Sequence, residues 1–221
     1  MKPKTLIRAS VGYAGNKLMI TESTLNVFSD ASKILTTDKS VISSTIIHID
    51  KSGMHTHDLN MKFIENDDIS YLESLAILDA MYFISDMDKN TLSRINRINL
   101  FCDNLSVVEK LSRLINKYRQ RIYEEKVLYH RDIEIIKPYD LVINEILKIV
   151  CQIYKLIFVF HTKSHLYDKD NKEDSIRKFK FQFEKYNHGI VLNDQDAKKI
   201  MYYNDYVDNR VRFFCKNYVI S

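Results

Sequence analysis

The chain has 221 residues, which is enough for one domain with a sizeable core plus additions. Hydrophobic residues make up 45% and charged residues 28%, as in soluble globular proteins, and no apolar run approaches the ~20 residues of a membrane span. The net charge of +4 permits an anionic partner without requiring one. With only four glycines there is no glycine-rich phosphate loop, so the pattern excludes both a Walker-type and a Rossmann-type nucleotide site.

The cysteines and the N-terminus indicate a cytoplasmic protein. Cys102, Cys151 and Cys215 are widely spaced, and two of them lie in apolar runs. This spacing is typical of reduced thiols rather than of a disulfide framework or a zinc site. The run Met1–Arg8 lacks the apolar stretch of a secretory signal.

The first third of the chain predicts three strands. Residues 1–24 form an N-terminal extension, in which Lys17–Thr21 is compatible with a strand. The run Val27–Ser32 is the first firm strand, and it carries Asp30 near its end. The β-branched run Ser43–Asp50 and the alternating run His57–Ile64 follow. Because the connections are short, we expect an antiparallel meander.

The remainder alternates between helical and strand patterns. We expect a helix over about Ser70–Met87, a strand over Ile98–Asp103, a helix around 107–115, a helix that begins at Asp140, a fifth strand over Leu156–His161 and a last helix around 200–214. Over 175–186 the pattern fits either a strand or a helix. The order predicts an α/β fold, namely a five-stranded mixed sheet of three antiparallel strands followed by β-α alternation, with flanking helices.

Four acids lie where strand or helix ends can bring them together: Asp30, Glu73, Asp103 and Asp208. Each also has a purely structural interpretation. Glu73 completes a capping-box pattern with Ser70, and Ser106–Glu109 offers another box beside Asp103. Four convergent carboxylates would instead suit Mg²⁺, a hard cation that prefers oxygen ligands. Two such ions can flank a scissile phosphate.

With these motifs the chain resembles the ribonuclease H family. The resemblance rests on five motifs in the family's order: Phe28-Ser29-Asp30-Ala31-Ser32, Glu73-Ser74-Leu75-Ala76-Ile77, Leu100-Phe101-Cys102-Asp103-Asn104, Thr162-Lys163-Ser164-His165 and Asn204-Asp205-Tyr206-Val207-Asp208. It covers about residues 26–212. It implies an RNase H-like domain over 25–221, with an insertion at 166–200.

The resemblance also implies a chemistry. Asp30 and Asp208 would hold one Mg²⁺ or Mn²⁺ ion, and Asp30, Glu73 and Asp103 the other. His165 would assist proton transfer or product departure, with His161 as its competitor at the end of the fifth strand. The implied activity is a metal-dependent endoribonuclease that hydrolyses the RNA strand of RNA–DNA hybrids.

Departures from the family keep other functions open. Ala31 stands where the family commonly has glycine, and Asp67–Ser70 replaces an asparagine-rich segment that helps to read RNA. An RNase H-fold nuclease for another RNA or DNA, or a non-catalytic interaction module, therefore remains an alternative.

A basic stretch provides the candidate contacts to nucleic acid. We expect Lys117, Arg119 and Arg121, together with Lys163, to contact the phosphate backbone. The same stretch also fits a solvated helix whose charges are balanced by Glu124, Glu125 and Asp132.

Overall fold

The computed structural model describes residues 19–34, 37–123, 138–163 and 172–217, of which 118–123 are described by their backbone alone. The strands are β1 (Thr24–Lys33), β2 (Ser40–Asp50), β3 (Gly53–Asp58), β4 (Lys62–Ile64), β5 (Arg97–Cys102) and β6 (Leu156–His161). The helices are α1 (Ile69–Ser85), α2 (Lys89–Arg94), α3 (Leu105–Tyr123), α4 (Pro138–Ile153), α5 (Lys172–Tyr186) and α6 (Asp194–Asn217). The short helix α2 has no counterpart among the sequence predictions.

One mixed sheet organises the described residues, and β1 lies at its centre. The order is β3-β2-β1-β5-β6, with β4 also paired to β2. The first three strands are antiparallel, whereas β1, β5 and β6 are parallel. This topology confirms the expected fold class, an RNase H-like α/β sheet with flanking helices.

The predicted bounds of the third strand were wrong. The strand begins at Gly53, breaks after Asp58 and resumes at Lys62, so β3 and β4 both pair with β2. At the break, the Leu59 amide donates to the Ser44 carbonyl and the Leu59 side chain packs on the core. Leu59 is thus partly buried between the two strand segments.

Two apolar layers enclose the sheet. Helices α1, α3 and α4 cover one face, with a core that includes Leu25, Val27, Ile46, Ile77, Leu100, Leu111 and Ile146. Helices α5 and α6 cover the other face, with a core that includes Phe28, Ile47, Phe101, Phe160, Phe179, Phe183 and Ile200. Since both faces are covered, the central strand is buried almost throughout, as parallel segments require.

The segment that fitted either a strand or a helix is helical. Phe179 and Phe183 are each 2% exposed, whereas Phe181 is 64% exposed. The buried pair is four residues apart, which is the spacing of one helix face. The alternation of aromatic and polar residues was therefore compatible with a strand only by coincidence.

The described end of the N-terminal extension packs on the domain without forming a strand. Residues 19–21 have no strand conformation, which contradicts the compatible strand at Lys17–Thr21 over its described part. Met19 and Ile20 are buried, and their amides donate to the Asp196 carboxylate at 2.6 and 3.3 Å. None of the described helices has the length and apolar character needed to cross a membrane.

Candidate metal centre

Asp30 lies near the end of β1, two residues beyond the last residue of β1 that pairs with β5. Its residue pairs with Ser43 of β2, and the preceding Phe28 stacks on Phe101 of β5 at 4.7 Å. Asp30 is only 6% exposed. Among the described residues, its Oδ2 atom is buried without a hydrogen-bond partner. A buried carboxylate oxygen in this state is costly unless a cation meets it.

Glu73 reaches the same place from α1. The helix is capped by Asp68, whose side chain accepts from the Ser70 and Tyr71 amides, so the capping-box interpretation of Ser70 and Glu73 was wrong. Glu73 is 1% exposed. Its Oε1 accepts from the Ala31 amide at 3.1 Å, so the glutamate is bound to the strand rather than to its own helix end.

Asp103 follows β5 directly and completes a set of three acids. The next helix is capped by Asn104, whose side-chain oxygen accepts from the Val107 amide at 3.2 Å. The box proposed for Ser106 and Glu109 was therefore also wrong. Asp30, Glu73 and Asp103 each offer a carboxylate oxygen, and these oxygens lie within 4.8 Å of one another.

Asp208 approaches the acids from α6. Asp208 is 7% exposed, whereas Asp205, one turn earlier, is half-buried. The same helix is fixed to the end of β6 because the Thr162 hydroxyl donates to Asn204 Oδ1 at 2.6 Å. Arg212 Nε lies 2.9 Å from Asp208 Oδ1, so a cationic side chain already contacts this edge of the cluster.

The electrostatics of the cluster favour protons or cations. Burial, reinforced by the charges of Asp103 and Asp208, raises the pKa of Asp30 well above its ordinary value, and Arg212 partly opposes this. Burial and the charges of Asp30 and Asp103 likewise raise the pKa of Glu73. Loss of solvation on burial is the larger cause, and repulsion between the carboxylates adds to it. A cation bound there would remove both penalties.

Only one of the two candidate histidines belongs to the described part of the chain. His165 lies outside the described residues. His161 ends β6, and its Nε2 lies 2.9 Å from the Asp103 carbonyl oxygen, to which it can donate. Burial lowers the pKa of His161, while the hydrogen bond to Asp103 opposes the shift. The imidazole nearest to the acids in the described structure is therefore bound to the backbone of one of them.

The basic candidates are only partly described. Lys163 is exposed and follows Thr162 directly. Lys117 is exposed on α3 and lines a groove of about 590 Å³ between that helix and β6. Arg119 and Arg121 lie on α3, but their side chains are outside the described structure. The predicted contacts of these four residues to nucleic acid therefore stay predictions.

Sequence reasoning missed two residues that touch the acids. Arg212 pairs with Asp208 at the i,i+4 spacing of a helix, a signal too common to single it out. Cys102 Sγ donates to Glu73 Oε2 at 3.6 Å, and burial, followed by the charge of Glu73, raises the pKa of this thiol, which keeps it a donor. All three cysteines are free thiols.

Comparisons with known proteins give likeness in structure alone. No model of a known protein family matches the chain, and no curated protein matches it. LC11-RNase H1, isolated from compost by a metagenomic approach, is 13% identical with a TM-score of 0.42, over 74% of this chain and 97% of that one. LC9-RNase H1, a type 1 RNase H with the type 2 active-site motif, is 11% identical with a TM-score of 0.48, over 79% and 77%. The foamy viral protease-reverse transcriptase in complex with an RNA/DNA hybrid is 13% identical with a TM-score of 0.43, over 84% of this chain and 21% of that one.

The class that the topology defines is an RNase H-like fold. Its strand order and directions carry this conclusion. At the end of the two central strands, this chain places three acids within reach of one cation and a fourth beside them.

Proposed function

We propose that the chain is a metal-dependent endonuclease that hydrolyses the RNA strand of RNA–DNA hybrids by a two-metal-ion mechanism. The observation that carries the proposal is the convergence of Asp30, Glu73 and Asp103 within 4.8 Å, with Asp208 beside Asp30. A non-catalytic interaction module has no use for such a costly cluster of buried carboxylates.

The residues fit divalent metal ions on two grounds. Asp30 Oδ2 has no partner among the described residues, so it has a lone pair free for a cation. All four candidate ligands are carboxylates, the donors that Mg²⁺ and Mn²⁺ prefer over imidazole or thiol. We assign Asp30 and Asp208 to one ion, and Asp30, Glu73 and Asp103 to the other.

Bound ions would supply an activated water and stabilisation of the leaving oxygen. The chain's own contribution is to hold the acids in place before substrate arrives. Glu73 is held by the Ala31 amide and the Cys102 thiol, and Asp30 lies in β1, where it pairs with Ser43 of β2. Preorganised charges of this kind need little rearrangement during the reaction.

Proton transfer is assigned to a histidine beside the acids. His165 holds this role in our proposal, because it stands in the lysine-x-histidine motif after β6. His161 is the rival. Its hydrogen bond to the Asp103 carbonyl favours a positioning role for it, since that bond orients the loop that carries Asp103.

Contacts to the phosphate backbone are assigned to Lys163, Lys117, Arg119 and Arg121. Lys163 is two residues from His161, so it can place a phosphate near the acids. Lys117 lies farther along α3, on the same side of the sheet as the groove beside β6. Phosphate contacts of this type position a nucleic acid without reading its sequence.

The test is a cleavage assay with the purified chain. Labelled RNA–DNA hybrid, duplex RNA, duplex DNA and single strands are each incubated with Mg²⁺, with Mn²⁺ and with excess chelator. We expect cleavage of the hybrid alone, only with a metal, leaving a 3′-hydroxyl and a 5′-phosphate. Glu73→Gln is the inactive control. Preference for another substrate would support the alternative nuclease, and a 2′,3′-cyclic phosphate or cleavage in chelator would contradict the two-metal mechanism.

A further inference from the structure

A second group of metal-binding side chains lies on the hairpin formed by β2 and β3. His48 and His55 are directly opposite each other in the strand pairing, and Asp50 precedes the turn. Each of the three offers a ligand atom, and these atoms lie within 4.8 Å of one another. The group is separate from the four acids: along β1, His48 pairs with Leu25 whereas Ser43 pairs with Asp30, a separation of about 17 Å at ~3.4 Å per residue.

The ligand atoms are already close to the spacing that a metal ion requires. His55 Nε2 is 2.9 Å from Asp50 Oδ1, and His48 Nε2 is 3.9 Å from Asp50 Oδ2. Tetrahedral bonds of about 2.0–2.1 Å place ligand atoms roughly 3.3 Å apart. The two observed separations, one to each oxygen of Asp50, lie on either side of this value, and the three ligand atoms all lie within 4.8 Å of one another.

His48 supplies an independent observation. It is 9% exposed, its Nδ1 has no hydrogen-bond partner among the described residues, and its Nε2 lies 3.9 Å from Asp50 Oδ2, beyond hydrogen-bond range. Its ring stacks on that of His55 at 4.7 Å between centroids and 19° between planes. A metal ion beside Asp50 would give His48 Nε2 a direct partner, which it lacks at 3.9 Å.

We propose that His48, Asp50 and His55 bind a late first-row transition metal ion, with water completing its coordination. Two imidazoles and one carboxylate form a donor set that suits Zn²⁺ rather than Mg²⁺. Because the ligands come from both strands of the hairpin, the ion would fasten β3 to β2 at the end far from the acids. The alternative is a hydrogen-bonded turn without metal, in which Asp50 binds Ser52 and His55.

The test uses the full chain with the acid cluster disabled. An Asp30→Asn chain in excess Mg²⁺ is titrated calorimetrically with Zn²⁺, and its melting temperature is followed at each concentration. We expect one Zn²⁺ per chain at the hairpin and a melting temperature that rises with Zn²⁺. Adding His55→Gln, at a half-exposed position, should weaken binding by about tenfold or more and cancel the thermal shift.

Two further variants separate the site from nonspecific binding. Asp50→Asn should weaken Zn²⁺ binding as His55→Gln does, while keeping the turn's shape. His57→Gln is the matched control, because His57 lies on the same strand and face, 5.8 Å from the His48 ring, but outside the ligand set. Equal binding by His55→Gln and its parent, equal losses in His55→Gln and His57→Gln, or no Zn²⁺ binding at all would each overturn the proposal.

Discussion

Buried carboxylates occur in two opposite settings in this molecule. Asp140 and Asp196 are 0% and 1% exposed, and each has donors that match it: Lys110 pairs with Asp140, and the Met19 and Ile20 amides donate to Asp196. Asp30 and Glu73 are equally buried, but their chief charged neighbours are other acids. The first pair stabilises the fold.

Asp30 and Glu73, by contrast, weaken the fold in the absence of a cation. Burial and like charges raise the pKa values of Asp30 and Glu73, which measures how poorly the folded state tolerates their ionised forms. A stability cost concentrated at the ends of two central strands is characteristic of a functional site. The contrast with Asp140 and Asp196 therefore supports the proposed metal centre more than the number of acids does.

The largest effect that we expect concerns activity, and it separates Asp208 from Asp205. Asp208→Asn should lower hybrid cleavage by about 100-fold or more, because it removes a metal ligand from the charged cluster. Asp205→Asn should retain most of the activity, because Asp205 is half-buried whereas Asp208 is 7% exposed at the edge of the cluster. Turnover of both variants on one hybrid at saturating Mg²⁺ is the measurement. A dead Asp205→Asn with an active Asp208→Asn would reverse our assignment.

The sequence predicted the strands and the acids more accurately than the helix ends. Hydrophobic patterns along β1, β5 and β6 are strong, because these strands are buried on both faces. The capping boxes at Ser70 and Ser106 were wrong, because Asp68 and Asn104 supply the caps. Several residues in each stretch can cap, and Glu73, the acid of the first box, instead accepts from the Ala31 amide of β1.

Contacts between distant parts of the chain could not be predicted from local sequence patterns. The bond between Asp196 and the Met19 amide spans 177 residues, so no periodicity could reveal it. The hairpin group of His48, Asp50 and His55 depends on the pairing of β2 with β3, whereas the predicted third strand, His57–Ile64, begins after His55 and leaves it outside the strand. Register is set by the turn and by burial together, and a shift of one residue moves a side chain to the other face.

The next largest effect that we expect is a loss of stability when Asp196, a buried carboxylate with matched donors, is removed. Asp196→Ala should lower the free energy of unfolding by about 3 kcal/mol, because it leaves the buried Met19 and Ile20 amides without an acceptor. Asp194→Ala is the matched control, since Asp194 lies in the same turn but its side chain is 70% exposed in an ion pair with Lys180. It should change stability by less than ~0.5 kcal/mol. Urea denaturation measures both, and equal losses would show that Asp196 has no special role.

The smallest effect that we expect has the opposite sign and depends on pH. In chelator, Asp30→Asn should raise the free energy of unfolding by about 1 kcal/mol at neutral pH, because it removes one of the mutually repelling charges. The ordinary pKa values of Asp30 and Glu73 are 3.8 and 4.5, and both are raised in the folded state. Above about pH 4 the folded chain thus holds protons that the unfolded chain releases, so stability falls as pH rises toward the folded pKa values.

The direction in which stability changes with pH distinguishes the acid cluster from the paired carboxylates. Asp30→Asn should make the free energy of unfolding fall less steeply with rising pH. Saturating Mg²⁺ should have the same effect on the parent chain, since the metal replaces the proton. Asp140→Asn is the matched control and should lose stability, because Lys110 is left beside a neutral group in a buried setting. Urea denaturation between pH 4 and neutrality, with and without Mg²⁺, measures all three chains. A clear loss of stability in Asp30→Asn would mean that Asp30 is a structural hydrogen-bond acceptor. It would then stabilise the fold as Asp140 does, and the contrast between the two kinds of buried carboxylate would be wrong.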